Sequence, residues 1–212
     1  MFSRVTVISI FTMAIMVLFC TISGCMSVRT SDTHNTTMAL QEYNGWAAEQ
    51  KQFDREIQSD LQRISADTAN YNTEIVRENP DLTLIRKNTG GEKQLVNAWA
   101  SELARLNFAT DTFEKNTSGL TYGNNQQTQQ QLALMVQYMR IYAISIGNAQ
   151  QHLIDYTNNE GMYFGSDDPD YWNDADLQSA LNARQLAASS LSEGDAALRN
   201  LTSQAQILQQ SQ

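Results

Sequence analysis

Eight side chains, Leu132, Met135, Met139, Tyr142, Ile146, Ala149, Leu153 and Tyr156, follow one another at alternating steps of three and four residues. On a helix of 3.6 residues per turn this spacing draws one continuous stripe, whereas a strand would present the same side chains to both of its faces. Leu134, Val136, Tyr138, Ile141 and Ile144 widen the apolar face beyond a two-stranded seam, so this segment is expected to be the most buried helix of the fold.

Three other segments carry comparable stripes. Tyr43, Trp46, Phe53, Ile57, Leu61, Ile64, Thr68, Tyr71 and Ile75 lie three, four or seven apart, with Gln50 at the one skipped position. Asn79 and Pro80 end that helix, because the residue before a proline is pushed out of the helical region. The same pair can cap a short new turn through Ile85, which Gly90 and Gly91 then break. Val96, Trp99, Leu103, Leu106 and Phe113 mark the next helix, and residues 116–125 read as a turn. After a connection at residues 158–173, the stripe Leu177, Leu181, Ala188, Leu191, Leu198, Leu201, Ala205 and Leu208 marks the last. Its phase runs through Asp195, so the helix is expected to continue past Gly194. Four long amphipathic segments with no stretch of period two predict an all-α, up-down-up-down four-helix bundle over residues 39–212.

Ahead of the bundle, Arg4 precedes an apolar run over residues 5–22 that ends in Ser23, Gly24 and Cys25. That order reads as an export signal. The small pair directly before a cysteine resembles the lipobox of prokaryotic lipoproteins. The resemblance implies cleavage between Gly24 and Cys25, a lipid on Cys25, and a place in the cell membrane or outer membrane with the domain facing out of the cytoplasm. Residues 1–24 are then signal peptide, and residues 25–38, rich in Ser, Thr, Asp and Asn, a lipidated cysteine followed by a flexible tether. The alternative is an uncleaved anchor, since 18 apolar residues lie at the lower limit for spanning a bilayer. Cys20 leaves with a cleaved signal, so the mature chain has no second thiol for a disulfide.

Removing residues 1–24 from 212 leaves 188, enough for one domain, with 13 basic and 23 acidic side chains. A net charge of −10 disfavours nucleic acid and anionic head groups as partners. The 38 Gln and Asn residues match the 37 charged ones, so amides keep much of the surface wet. Sequons at Asn35, Asn116 and Asn200 occur about as often as chance predicts, roughly three times.

Most catalytic patterns fail on inventory. A di-metal bundle needs Glu-x-x-His motifs, yet position 149, three before His152, is alanine. His34 lies in the tether, and His152 sits beside the core position Leu153, as a boundary side chain does. No phosphate loop, nucleophile elbow or haem-attachment motif is present, and no cofactor is implied. Asp167, Asp168 and Asp170 offer a weak calcium candidate, though their loop lacks the glycine and glutamate of an EF-hand. The simpler reading is that Asn173 or Asp174 caps the last helix and the neighbouring acids favour its N-terminal dipole. Tyr163, Tyr171 and Trp172, with Met162 and Phe164, either plug the open end of the bundle or form a lid over a small ligand. Arg184 falls on the expected stripe of the last helix, where it either meets a carboxylate or snorkels to water.

The expectation is therefore a membrane-anchored extracytoplasmic lipoprotein with a non-enzymatic protein-binding or scaffolding role and a protein partner in the cell envelope. The alternative is a helical module that binds or senses a small solute, with Arg184, Tyr163, Tyr171 and Trp172 as its candidate ligand-binding residues. An enzyme ranks third.

Overall fold

A computed structural model describes residues 30–75, 77, 80–120, 126–168 and 172–210. They form four α-helices, α1 (Thr30–Ile75), α2 (Leu82–Ser118), α3 (Gln126–Tyr163) and α4 (Asp174–Gln210), in an up-down-up-down bundle. At about 1.5 Å per residue, the 37 residues of α2 or α4 span about 55 Å. Among the described residues no helix is long and apolar enough to cross a membrane. Gly24, Cys25 and the apolar run before them lie outside the described residues, as do Asp170 and Tyr171.

The register is set by a few polar contacts between helices. Tyr142 on α3 donates to Asp54 on α1, and the Thr68 and Tyr156 hydroxyls meet at 3.2 Å. Both pairs are 88 residues apart, so α1 and α3 run parallel and in phase over two heptads. Trp46 Nε1 donates to Thr110 at 2.9 Å and Trp99 Nε1 to Asp60 at 2.8 Å, which fixes the antiparallel α1–α2 pair. Between these contacts lies an apolar core that includes Phe53, Ile57, Val96, Leu106, Phe113, Met135, Met139, Ile146 and Leu201. A fully buried side chain of this size contributes about 1.5–3 kcal/mol.

Four expectations are corrected. First, α1 begins at Thr30, so its first turns take in residues 30–38, the second part of the expected tether, while residues 25–29 lie outside the described residues. Thr36 and Ala39 are buried there, which continues the α1 stripe toward the N-terminus. Second, α2 runs unbroken through Gly90 and Gly91. The Asp81 side chain caps it by accepting from the Leu84 amide at 2.9 Å, and the buried Ile85, Thr89 and Glu92 extend its stripe across the glycines. Third, α3 continues through residue 158 to Tyr163, because Glu160 and Tyr163 prolong its buried face, while Leu134, Ile141 and Ile144, expected to widen that face, are exposed on the far side of the helix.

The fourth correction concerns phase. The buried face of α4 is Ala180, Ala183, Ala187, Ser190, Gly194, Ala197, Leu201, Ala205 and Leu208. Over its first half this stripe lies one residue from the expected one, and Leu181 is 49 % exposed. Small side chains win this face because α3 and α4 are the pair whose backbones approach most closely. A Cβ on Gly194 would lie 3.3 Å from Ile146 Cδ1 and 3.6 Å from Tyr142 Cδ2, so this is a position where a larger residue would push the helices apart.

Candidate functional site: a buried carboxyl pair

The stripe positions Glu92 on α2 and Glu160 on α3 place two carboxyl side chains in the interior, with exposures of 0 % and 5 %. The antiparallel helices hold them level. Lys93, next to Glu92, donates from Nζ to Asn158, two residues before Glu160, at 2.8 Å, and a Cβ on Gly161 would lie 3.8 Å from Thr89 Cγ2. Tyr71 on α1 donates to Glu92 Oε1 at 2.8 Å, and Tyr156 donates to Glu160 Oε1 at 2.8 Å. Oε2 of each carboxyl has no donor among the described residues. Arg184 on α4 completes the ring of helices, with its guanidinium carbon 6.0 Å from the centre of the Tyr156 ring.

Burial raises Glu92 to about 8, and the neighbouring Glu160 adds to the shift. Burial likewise raises Glu160, to about 7, against the hydrogen bond from Tyr156 and the positive charge of Arg184. Each carboxyl therefore resists ionising in this buried place, and a charge on Glu160 makes a second charge on Glu92 costlier still. Tyr71 and Tyr156 are pushed well above the usual phenol range, chiefly by burial, so both stay neutral donors. The cluster can therefore hold and release a proton in an otherwise apolar interior.

A second, partly buried polar contact joins α1 and α3 two heptads from Thr68 and Tyr156. Asp54 accepts from Tyr142 and from Gln50, the side chain at the skipped stripe position, and burial raises its pKa.

The cap of the bundle is an aromatic cluster. Tyr163 and Phe164 meet edge to face at 4.9 Å, Trp172 lies 5.3 Å from Tyr163 and 5.2 Å from Phe164, and Tyr71 and Ile85 complete the cluster beneath. Arg86 on α2 straps it down by donating to the carbonyls of Phe164 at 2.9 Å and Gly165 at 3.1 Å. The same guanidinium pairs with Asp167 at 2.8 Å. Asn173 caps α4 by accepting from the Ala175 amide at 3.1 Å, with Asp174 and Asp176 in the first turn. Among the described residues no group of three or more His, Cys, Asp or Glu is placed to hold a metal ion.

The sequence-derived candidates thus fall in different places. Arg184 belongs to the carboxyl cluster, Tyr163 and Trp172 to the cap, and Asp167 to the Arg86 strap, while Asp168 is exposed at the surface of the connection. His152 lines an open groove of about 530 Å³ between α3 and α4 with Asp155, Asn159, Met162, Asn182 and Leu186. Glu92 and Glu160 went unmarked in the sequence. Their signal is heptad phase: Glu92 lies four residues before Val96, and Glu160 four after Tyr156. No family model, curated protein or solved structure matches this chain.

Proposed function

We propose that the chain is a lipid-anchored, extracytoplasmic lipoprotein whose bundle docks a protein partner on its outer faces. The observation that carries this reading is the exposed apolar strip Leu134, Ile141 and Ile144 on α3, which lies opposite that helix's own core stripe. Ile144 is 63 % exposed, and Phe108 on α2 is 74 % exposed. Arg140 on α3 pairs with Asp111 on α2 at 3.1 Å, so the antiparallel register brings Phe108 to the height of this strip. An amphipathic partner helix laid along such a surface would bury these side chains. The lipobox-like Ser23, Gly24 and Cys25 support the anchor, and two acyl chains would hold it stably where one binds marginally.

The test is a photo-crosslinking residue at position 144, introduced into the full-length protein in native membranes, with exposed Ser203 as the control position. A discrete adduct at 144 that is absent at 203 supports docking; the same diffuse labelling at both sinks it. Separately, Cys25→Ala should abolish incorporation of a fatty-acid analogue, and unchanged labelling overturns the anchor.

A second reading, binding of a small solute, is favoured by the half-polar groove around His152 and Asn182. Thermal unfolding across a panel of amino acids, sugars and organic acids tests it. A ligand at a hundred times its dissociation constant adds about 2.7 kcal/mol, and a shift lost in Asn182→Ala would place the ligand in this groove.

A further inference from the structure

Three buried side-chain oxygens lack a hydrogen-bond partner among the described residues: Gln131 Oε1, Glu92 Oε2 and Glu160 Oε2. The last two belong to buried carboxyls that the helix register holds level across the α2–α3 seam, where a charge on one disfavours a charge on the other. Were both ionised, two like charges would stand together in an apolar interior, each with an oxygen that receives no donor. A single proton resolves both deficits, because the carboxyl that carries it donates and the other accepts. A hard cation fits less well. Calcium takes six to eight oxygens, whereas two carboxylate oxygens are free here and the Tyr71 and Tyr156 hydroxyl hydrogens are already directed at Oε1.

Every helix contributes to what surrounds the pair: Asp67, Thr68 and Tyr71 from α1, Thr89 from α2, Tyr156 from α3 and Arg184 from α4. Of the two charged neighbours, Arg184 balances one carboxylate. Asp67 opposes a charge on either carboxyl. The pair therefore tolerates one negative charge but not two. Tyr71, the donor to Glu92, also forms part of the cap, with its ring centre 6.1 Å from that of Phe164. Separation of α2 from α3 at this level would pull on the cap directly.

We infer that Glu92 and Glu160 share one proton across the α2–α3 seam, and that its release to solvent opens the capped end of the bundle. The pair is a proton-gated latch on the aromatic cluster of Tyr71, Tyr163, Phe164 and Trp172.

Hydrogen exchange of the full-length protein tests this, read from about pH 6 to about pH 9 and corrected for the intrinsic exchange rate. Peptides over residues 66–96 and 150–177 should show an opening constant that rises up to tenfold per pH unit while the proton is leaving. Peptides over residues 126–140 and 197–210 should not follow. In Glu92→Gln the amide donates permanently to Glu160, so the rise should vanish. Infrared difference spectra of the wild-type protein over the same range need no variant to fold, and should lose a protonated carboxyl band. A flat opening constant in the wild type, a rise that persists in Glu92→Gln, or no loss of that band overturns the inference. Protection restored above pH 8 by magnesium or calcium chloride, but not by sodium chloride of equal ionic strength, also overturns it and makes the pair a cation site.

Discussion

Tyr71 on α1 donates to Oε1 of Glu92 on α2 at 2.8 Å while its ring packs against Phe164 of the cap. One side chain thus joins the carboxyl pair to the aromatic cluster. Tyr71→Phe keeps the ring and removes the donor, leaving both oxygens of a fully buried carboxyl without an outside partner. Such a loss costs about 1–3 kcal/mol, which for a domain of this size lowers Tm by about 2–4 °C per kcal/mol. Calorimetry at about pH 6 checks it. An unchanged Tm would mean that Glu92 finds another donor.

Arg184→Met should change how stability depends on pH more than it changes stability in acid. Both glutamates have folded values raised above the ordinary value near 4.5, to about 8 and about 7. The stability they contribute is fully present below that ordinary value. It is lost as pH rises through about 7 to 8, because the folded state gives up its protons later than the unfolded chain. Removing Arg184, which lowers Glu160, moves the end of the decline to higher pH and deepens it. Urea unfolding at intervals of pH should show wild type and variant within about 1 kcal/mol near pH 5, the scale of the lost contact with Tyr156. The two should diverge above pH 7, and Arg184→Lys should lie close to wild type. Parallel curves would show that Arg184 does not act on the pair.

Much of the fold is legible in the sequence because long apolar stripes of period 3.5 permit few arrangements. All eight residues of the α3 stripe, for example, are buried, although Leu134, Ile141 and Ile144, expected to widen that face, lie exposed on the other side of the helix. Legibility failed where size and polarity ran against the pattern. Leucines mark α4 by hydrophobicity, but its seam is drawn by Ala180, Ala183, Ala187 and Gly194, since the closest helix pair admits small side chains. Gly90 and Gly91 resemble a break, and reading them so detached Ile85 and Glu92 from the stripe they share with Val96. The carboxyl pair gives no apolar signal of its own: Glu92 and Glu160 occupy core positions of α2 and α3 that a count of hydrophobic residues passes over. Arg184 lies one residue off the buried face of α4, yet its guanidinium reaches the Tyr156 ring beside the pair.

The glycines of α2 and α4 should respond in opposite ways. A Cβ at Gly90 or Gly91 meets nothing within 4 Å. Replacing either by alanine in mid-helix should therefore stabilise by about 0.5–1 kcal/mol. At Gly194 the added Cβ already lies 3.3 Å from Ile146 Cδ1, and Gly194→Leu should cost about 1–3 kcal/mol through overpacking. Denaturant midpoints for the three variants decide the matter. A neutral Gly194→Leu would mean that α3 and α4 can separate without loss.

Strapping of the cap should depend on Arg86, whose guanidinium reaches two backbone carbonyls and Asp167. The ion pair is exposed and contributes little, so the two carbonyl bonds carry the effect. Arg86→Ala should cost about 1–2 kcal/mol and increase proteolysis between α3 and α4, where Gly165 sits. Asp167→Ala should leave both nearly unchanged. Limited proteolysis of the two variants beside wild type separates strap from ion pair, and equal cleavage in all three would remove the strap from the account.

The outer face can be separated from the core by its indifference to folding. Phe108 and Ile144 are mostly exposed, so serine at both should change stability by no more than about 0.5 kcal/mol each. A partner helix that buries them would lose about 1.5–3 kcal/mol per side chain, equivalent to a ten- to hundred-fold weaker complex for either alone. Co-purification from solubilised membranes with wild type, Phe108→Ser and the double variant should then show a discrete partner retained, reduced and lost, at constant Tm. Retention by the double variant would mean that this face is not where the partner sits. A fall in Tm would instead mean that the two side chains serve the bundle itself.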